Sequence, residues 1–267
     1  MKLLELAAGS DNDDFQFGAQ VVGLTVVFIR SDGPRAPFKY DQGGHRGSFE
    51  KAHLQYADDL AETTKHYRII TYKFGDMKIM LRHGADAYIP HAQSDDLKAT
   101  GSTPSKFSGV VVKNLGTYVP QDDVFEFMAV TSTKTQTKRV KKNLRESWLS
   151  QFHHFAVARP IHQSTPEDET DDSTLEARFH KCGLKLYFHE EIAESVDAGA
   201  VQAFYKMLEK LLQDLRSRAA GGSVRTFLIS HKKGEEGLRP LQVHNRIPGL
   251  SPELQKRLKM SHMAKSA

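Results

Sequence analysis

The chain has 267 residues, 39% hydrophobic and 26% charged, with a formal net charge of +4; this suffices for one large folded domain or two small ones and leaves a polyanionic partner open. Its longest apolar run, Val21 to Ile29, is interrupted by Gly23, and Glu5 lies inside the short apolar opening, so neither a membrane span nor a signal peptide is predicted. A lone cysteine, Cys182, excludes an internal disulfide and a zinc site built on paired cysteines, and the expected setting is reducing and intracellular, nuclear or cytoplasmic.

Phe15 to Arg30, FQFGAQVVGLTVVFIR, reads as two strands, followed by a Gly/Pro-rich loop. From Ser48 to about Lys65, Phe49, Ala52, His53, Tyr56 and Leu60 share one helical face, with Ser48 as a candidate N-cap. YRIITYKF and MKIMLRHGADAYI are two β-rich runs joined by Gly75-Asp76, a two-residue hairpin turn. After a polar loop, GVVVKNLGTYV and then VFEFMAVTS are predicted strands. A helix is predicted over Lys138 to Ala158, where Leu144, Trp148, Phe152 and Phe155 line one side. QSTPEDETDDST reads as a solvated acidic loop, and GLKLYFHEEI as a strand.

A long amphipathic helix carries Val201, Phe204, Tyr205, Leu208, Leu211, Leu212 and Leu215, with Gly221-Gly222 as its stop. SVRTFLISH is a strand, and SPELQKRLKM a short helix with Ser251 as cap and Pro252 in the first turn. This order predicts an α/β or α+β sandwich around a mixed central sheet flanked by helices. The expected organisation is an N-terminal segment of strands and loop at 1–47, in the same domain as an α/β core at 48–246, then a C-terminal helix and tail at 247–267.

Three carboxylates are candidates for chemistry: Glu50 on the first helix, Asp86 near the end of the second hairpin strand, and Glu126 in the strand before the next long helix. Asp86 and Glu126 on adjacent strands are a candidate pair of Mg²⁺ ligands for phosphodiester hydrolysis, which needs hard oxygen donors. A lysine two residues after Glu126 would share its sheet face and help position the attacking water; the residue there is Met128. From Phe127 to Arg145 there is no acid, whereas Lys134, Lys138, Arg139, Lys141, Lys142 and Arg145 are basic. Several fall near a predicted helix N-terminus, where an anion is favoured, and they form a candidate phosphate-contacting patch. A solvated charged face is the alternative. The histidines, including His153-His154, show no metal spacing with Cys182.

The helix, hairpin, acid, second acid and helix resemble the PD-(D/E)XK nuclease core. HRGSFEKAH, HYRIITYKFGDMKIMLRHGADAYI, VFEFMAV and WLSQFHHFAVA are similar to motifs of a fungal family often labelled geranylgeranyl pyrophosphate synthetase, over roughly Phe15 to Arg246. That resemblance implies Glu50, Asp86 and Glu126 as site acids, with Trp148 and Gln151 as the matching helix positions. Two positions depart from it: Gly84 stands where the family has a glutamate, and Met128 where it has a lysine. The implication is a nucleic-acid-binding protein, of DNA or RNA, with a degenerate Mg²⁺ site and impaired or absent catalysis. The alternative is a non-catalytic interaction scaffold derived from a nuclease fold. The prenyl-synthase label conflicts with the residues: DDLAE and DDVFE are present, but no DDxxD pair, and the middle of the chain is rich in strand formers.

Overall fold

The structure, a computed structural model, describes residues 2–9, 13–30, 49–50, 53–55, 65–89, 105–107, 110–112, 118–130, 136–160, 182–221, 225–235, 237–242 and 250–263. In chain order the elements are α1 (Lys2–Ala7), β1 (Phe15–Val22), β2 (Thr25–Arg30), β3 (His66–Phe74), β4 (Met77–Ala85), β5 (Ala87–Tyr88), β6 (Ser105–Phe107), β7 (Val110–Val112) and β8 (Val124–Ala129). They continue with α2 (Gln136–Leu149), β9 (His154–Pro160), β10 (Cys182–Phe188), α3 (His189–Glu194), α4 (Ala198–Ala220), β11 (Thr226–His231), β12 (Arg239–Gln242) and α5 (Pro252–Met263). The fold is α+β, with sheets flanked by helices, as the element order predicts.

The chain divides into two compact units, Met1–Phe38 with Asp197–Ala267, and Lys39–Val196. In the first, an antiparallel sheet of order β12-β11-β1-β2 buries Ala19, Val21, Phe227 and Ile229 against Leu211, Leu215 and Ala219 of α4. Asp197 caps α4, its carboxylate accepting the Ala200 amide at 2.8 Å, the usual remedy for an orphan N–H at a helix start. Ser251 Oγ accepts the Leu254 amide at 3.3 Å ahead of α5, as the predicted cap requires. The Gly23-Leu24 turn joins β1 to β2 with φ +61° at Gly23, a conformation that only glycine adopts at low cost.

The second unit holds a mixed sheet of order β10-β9-β8-β5, in which β8 and β9 run parallel and the other pairs antiparallel. On one face, α2 and α3 cover Met128, Phe155 and Val157 through Val140, Leu144 and Ile192. On the other, Phe49 packs on Phe127, Ala156 and Ala158. The β3–β4 hairpin turns at Gly75-Asp76 in the expected register, Phe74 opposite Met77, with positive φ at Gly75 alone, the type II′ arrangement.

Several boundaries differ from expectation. The helix predicted to Ala158 ends at Leu149, and His154–Pro160 is β9. Gln151 adopts φ +54°, which no helix continues through. Phe155 falls at helical spacing from the buried side of α2 because β9 is buried on both faces and so lacks the polar alternation of a half-exposed strand, and Phe152, ahead of β9, is buried as well. The strand read through Ile192 stops at Phe188, where α3 begins. Residues 49, 50 and 53 are helical, whereas Leu54 and Gln55 are not; residues 51–52 and 56–64 of that predicted helix lie outside the described residues, as do Ser48 and Lys134. Of GVVVKNLGTYV, Val110–Val112 is strand and Tyr118 and Val119 are not; residues 113–117 are also outside the described set. The helix α1 and strand β12 were not predicted.

Candidate functional site

β5 joins the start of β8 antiparallel, Ala87 opposite Phe125 and Tyr88 opposite Val124. Ile89 N donates to Asp123 O at 2.9 Å in the same register. One further step of that register sets Asp86 opposite Glu126, on neighbouring segments as the sequence predicts. Asp86 is not itself in the ladder: its Oδ2 accepts the Phe127 amide at 3.2 Å, where the next rung falls. The carboxylate therefore lies in the hydrogen-bonding plane of the sheet, at the point where β5 leaves β8. Glu126, by strand alternation, stands on the α2 face with Met128.

Met128 is 7% exposed and packs with Val140 and Leu144. Asn143 Nδ2 of α2 donates to its sulfur at 2.8 Å and to Arg139 O at 3.1 Å. Met128 is thus an apolar side chain built into the core. Gly84 differs: a Cβ there would meet only His66 O at 4.0 Å, an ordinary contact, so space does not dictate the glycine. Glu50 follows Phe49, which packs on Phe127 with ring centroids 4.8 Å apart, on the sheet face opposite Met128. Among the described residues, no three of His, Cys, Asp or Glu form a group able to hold a metal ion. Glu50, Asp86 and Glu126 accordingly do not make a three-carboxylate cluster.

Gln151 sits in the turn that ends α2, its amide donating to Trp148 O at 2.8 Å. Trp148 is half-buried, edge-on to Phe74 at 6.2 Å. Tyr72 Oη donates to Leu149 O at 2.9 Å, and burial pushes its pKa up to about 12. On α2, Val140, Leu144 and Ser147 turn inward while Lys138, Arg139, Lys141 and Lys142 are exposed and Arg145 is half-buried. The first turn contains no acid. The predicted basic patch, Lys134 aside, is thus one outward helix face.

A group that the sequence reading missed lies along the hairpin. Arg68 is directly opposite His83 and donates to Val119 O and Pro120 O. His83 Nδ1 lies 2.8 Å from Gly84 O and its ring is edge-on to Phe152 at 4.8 Å. Among the described residues, its Nε2 and Gln121 Oε1 are buried without a hydrogen-bond partner. Burial holds the His83 pKa below the ordinary histidine value, against the Gly84 carbonyl, which raises it, and with the positive charges of Arg68 and His66 adding to the depression. His66 is lowered by burial and by Arg68. The Gly75-Asp76 turn fixes the register that pairs these residues, so it was the available signal.

The architecture is the PD-(D/E)XK-type nuclease-like fold of Rai1 and Dxo1. Scheffersomyces stipitis Rai1, solved with (3′-NADP)+ and calcium, superposes with a TM-score of 0.58 at 13% identity over 97% of this chain and 72% of that one. K. lactis Dxo1, solved with manganese, gives 0.54 at 11% identity over 93% and 64%. S. pombe Rai1, solved with 3′-FADP, gives 0.51 at 12% identity over 90% and 69%. The chain belongs to the family described as a domain of unknown function, DUF8563, whose model matches residues 1–147. No curated protein matches it. The geranylgeranyl pyrophosphate synthetase label finds no support in the family model or the solved structures. Among the described residues, no helix is long and apolar enough to cross a membrane.

Proposed function

We propose that the chain binds RNA on a nuclease-derived scaffold whose hydrolytic site is degenerate. The observation that carries this reading is the outward basic face of α2 in a nuclease-like fold. Lys138, Arg139 and Lys141 are exposed in its first two turns, with no first-turn acid to offset them. Cations at a helix start are disfavoured by the helix dipole, and a bound phosphate reverses that penalty. Lys142 and Arg145 extend the patch, and Lys134 precedes it. RNA is preferred to DNA because the Rai1 neighbours were solved with (3′-NADP)+ and 3′-FADP, each of which carries an adenosine ribose.

Calcium and manganese in those neighbours make a divalent cation, Mg²⁺ included, the expected cofactor of the parent fold. The donors here fit it poorly. Asp86 and Glu126 are the available pair, one Asp86 oxygen already accepts the Phe127 amide, Gly84 supplies no carboxylate and Met128 no amine. Loss of a positioned acid or base alone costs about 10² to 10⁴ in rate. Hydrolysis is therefore impaired or absent, and Glu50 and Gln151 keep structural surroundings.

The test is fluorescence anisotropy with a labelled single-stranded RNA across a salt series. Log affinity falls with log salt by about 0.7 per phosphate contact for a single strand, and Lys138→Gln with Lys141→Gln flattens that slope. Absence of binding at low salt would overturn the RNA reading and leave a protein-interaction scaffold. Incubation with Mg²⁺ or Mn²⁺ is expected to yield little cleavage; efficient cleavage abolished by Asp86→Ala or Glu126→Ala would refute degeneracy.

A further inference from the structure

The β3–β4 hairpin has an inner face spent on packing and an outer face with no described partner element. Tyr72 and Phe74 turn inward to the end of α2. Tyr67, Ile69, Thr71 and Lys73 on β3, and Lys78, Met80, Arg82 and Gly84 on β4, are exposed. Ile69 is 66% exposed, Met80 70% and Tyr67 47%, a concentration of large apolar side chains that a solvated strand face does not require. The register pairs Tyr67 with Gly84, Ile69 with Arg82, Thr71 with Met80 and Lys73 with Lys78.

Three features of this face define its ligand chemistry. Its charged residues are all cations, and among the described residues no acid pairs with Lys73, Lys78 or Arg82. Lys73 and Lys78 are directly opposite, an arrangement of like charges that destabilises a hairpin unless an anion neutralises it. The Arg82 guanidinium lies 3.8 Å from the Tyr67 ring centroid, a stacked pair on which an unpaired base can continue the stack. From Lys78 to Arg82 is roughly 13 Å at 3.3 Å per residue, so a backbone a few nucleotides long reaches both. Thr71, midway, offers a hydroxyl to a ribose 2′-OH.

From these features we infer that the outer face of the β3–β4 hairpin is a second RNA-contacting surface. It takes a single strand, with phosphates on Lys73 and Lys78 and a base on the Tyr67–Arg82 stack. Duplex RNA, whose bases are already paired and stacked, is a poor ligand for it. The inference rests on the RNA reading above and adds the surface and the strand state that the reading lacks.

The experiment uses the full chain and a labelled 15-nucleotide RNA, about the length that groove-type single-strand sites span. Tyr67→Ala is expected to weaken binding on the order of tenfold, as loss of a stacking platform does, whereas Tyr67→Phe keeps most of the affinity. Lys73→Gln with Lys78→Gln is expected to reduce the salt slope by about 1.4, two single-strand phosphate contacts. Circular dichroism checks that each exposed-face variant folds. If these variants bind with wild-type affinity and slope while Lys138→Gln with Lys141→Gln binds more weakly, the hairpin surface is refuted and the RNA reading stands. If the wild-type chain fails to bind at low salt, both fall. Equal affinity for the duplex, or for a DNA strand of the same sequence, would overturn the single-stranded RNA assignment.

Discussion

The Asp86 carboxylate accepts the Phe127 amide at 3.2 Å, one rung past the last paired residues of β5 and β8. The acid thus completes the edge of β8. Asp86→Ala removes this acceptor from the Phe127 amide, and loss of such a hydrogen bond costs about 0.5–1.5 kcal/mol. Asp86→Asn keeps an acceptor oxygen and is expected to retain most of the stability. Urea unfolding of the two variants decides this: equal midpoints would show that the bond contributes nothing.

Met128 leads to a second expectation. Its thioether is packed with Val140 and Leu144 and contacted by Asn143, so Met128→Leu, similar in volume, should cost less than about 1.5 kcal/mol. Met128→Lys brings an ammonium into that cluster, where desolvation disfavours the charged form. A fall in melting temperature several times that of the leucine variant is expected. Gly84→Glu, facing open space, is expected to leave the melting temperature close to wild type. A lysine variant as stable as wild type would show that a charge is accommodated at this strand face.

Much of this was legible before the structure. The hairpin was readable because Gly75-Asp76 sits between two alternating runs, and α4 because its apolar stripe keeps one period over its 23 residues. The adjacency of Asp86 and Glu126 followed from strand order. The end of α2 was not readable: buried Phe155, Ala156, Val157 and Ala158 carry no alternation, and the left-handed Gln151 has no glycine to announce it. Nor was the burial of Met128, because a sequence shows that a methionine stands in the strand but not whether the packing has closed over it.

Tyr72 ties β3 to the last turn of α2 through Leu149 O, and its pKa is raised by burial to about 12 from an ordinary value of 10.0. The sign follows from linkage. Below pH 10 the tyrosine is protonated folded and unfolded, and its contribution is fully present. Between 10 and 12 the unfolded chain loses the proton first, so stability falls as pH rises through that window. Tyr72→Phe is expected to cost about 1 kcal/mol at neutral pH and to reduce this alkaline loss. Unfolding midpoints at pH 7, 10 and 11 measure both effects, and an unchanged alkaline slope in the variant would remove Tyr72 as its source.

His66 and His83 work at the other end of the scale. Both are held below the usual histidine pKa, chiefly by burial, and Arg68 adds to the depression in each case. Above the ordinary value of 6.5 both histidines are neutral folded and unfolded, and they impose no penalty. As pH falls below it, the unfolded chain takes up protons that the folded hairpin resists, so folding stability drops toward acid. His83 is the sharper probe, because its Nε2 is buried with no hydrogen-bond partner among the described residues and protonation would add a charge beside Arg68. His83→Gln removes the titrating ring at that site, and its unfolding free energy is expected to vary less than wild type between pH 7 and 5. An identical pH dependence in the two proteins would place the acid sensitivity outside the hairpin.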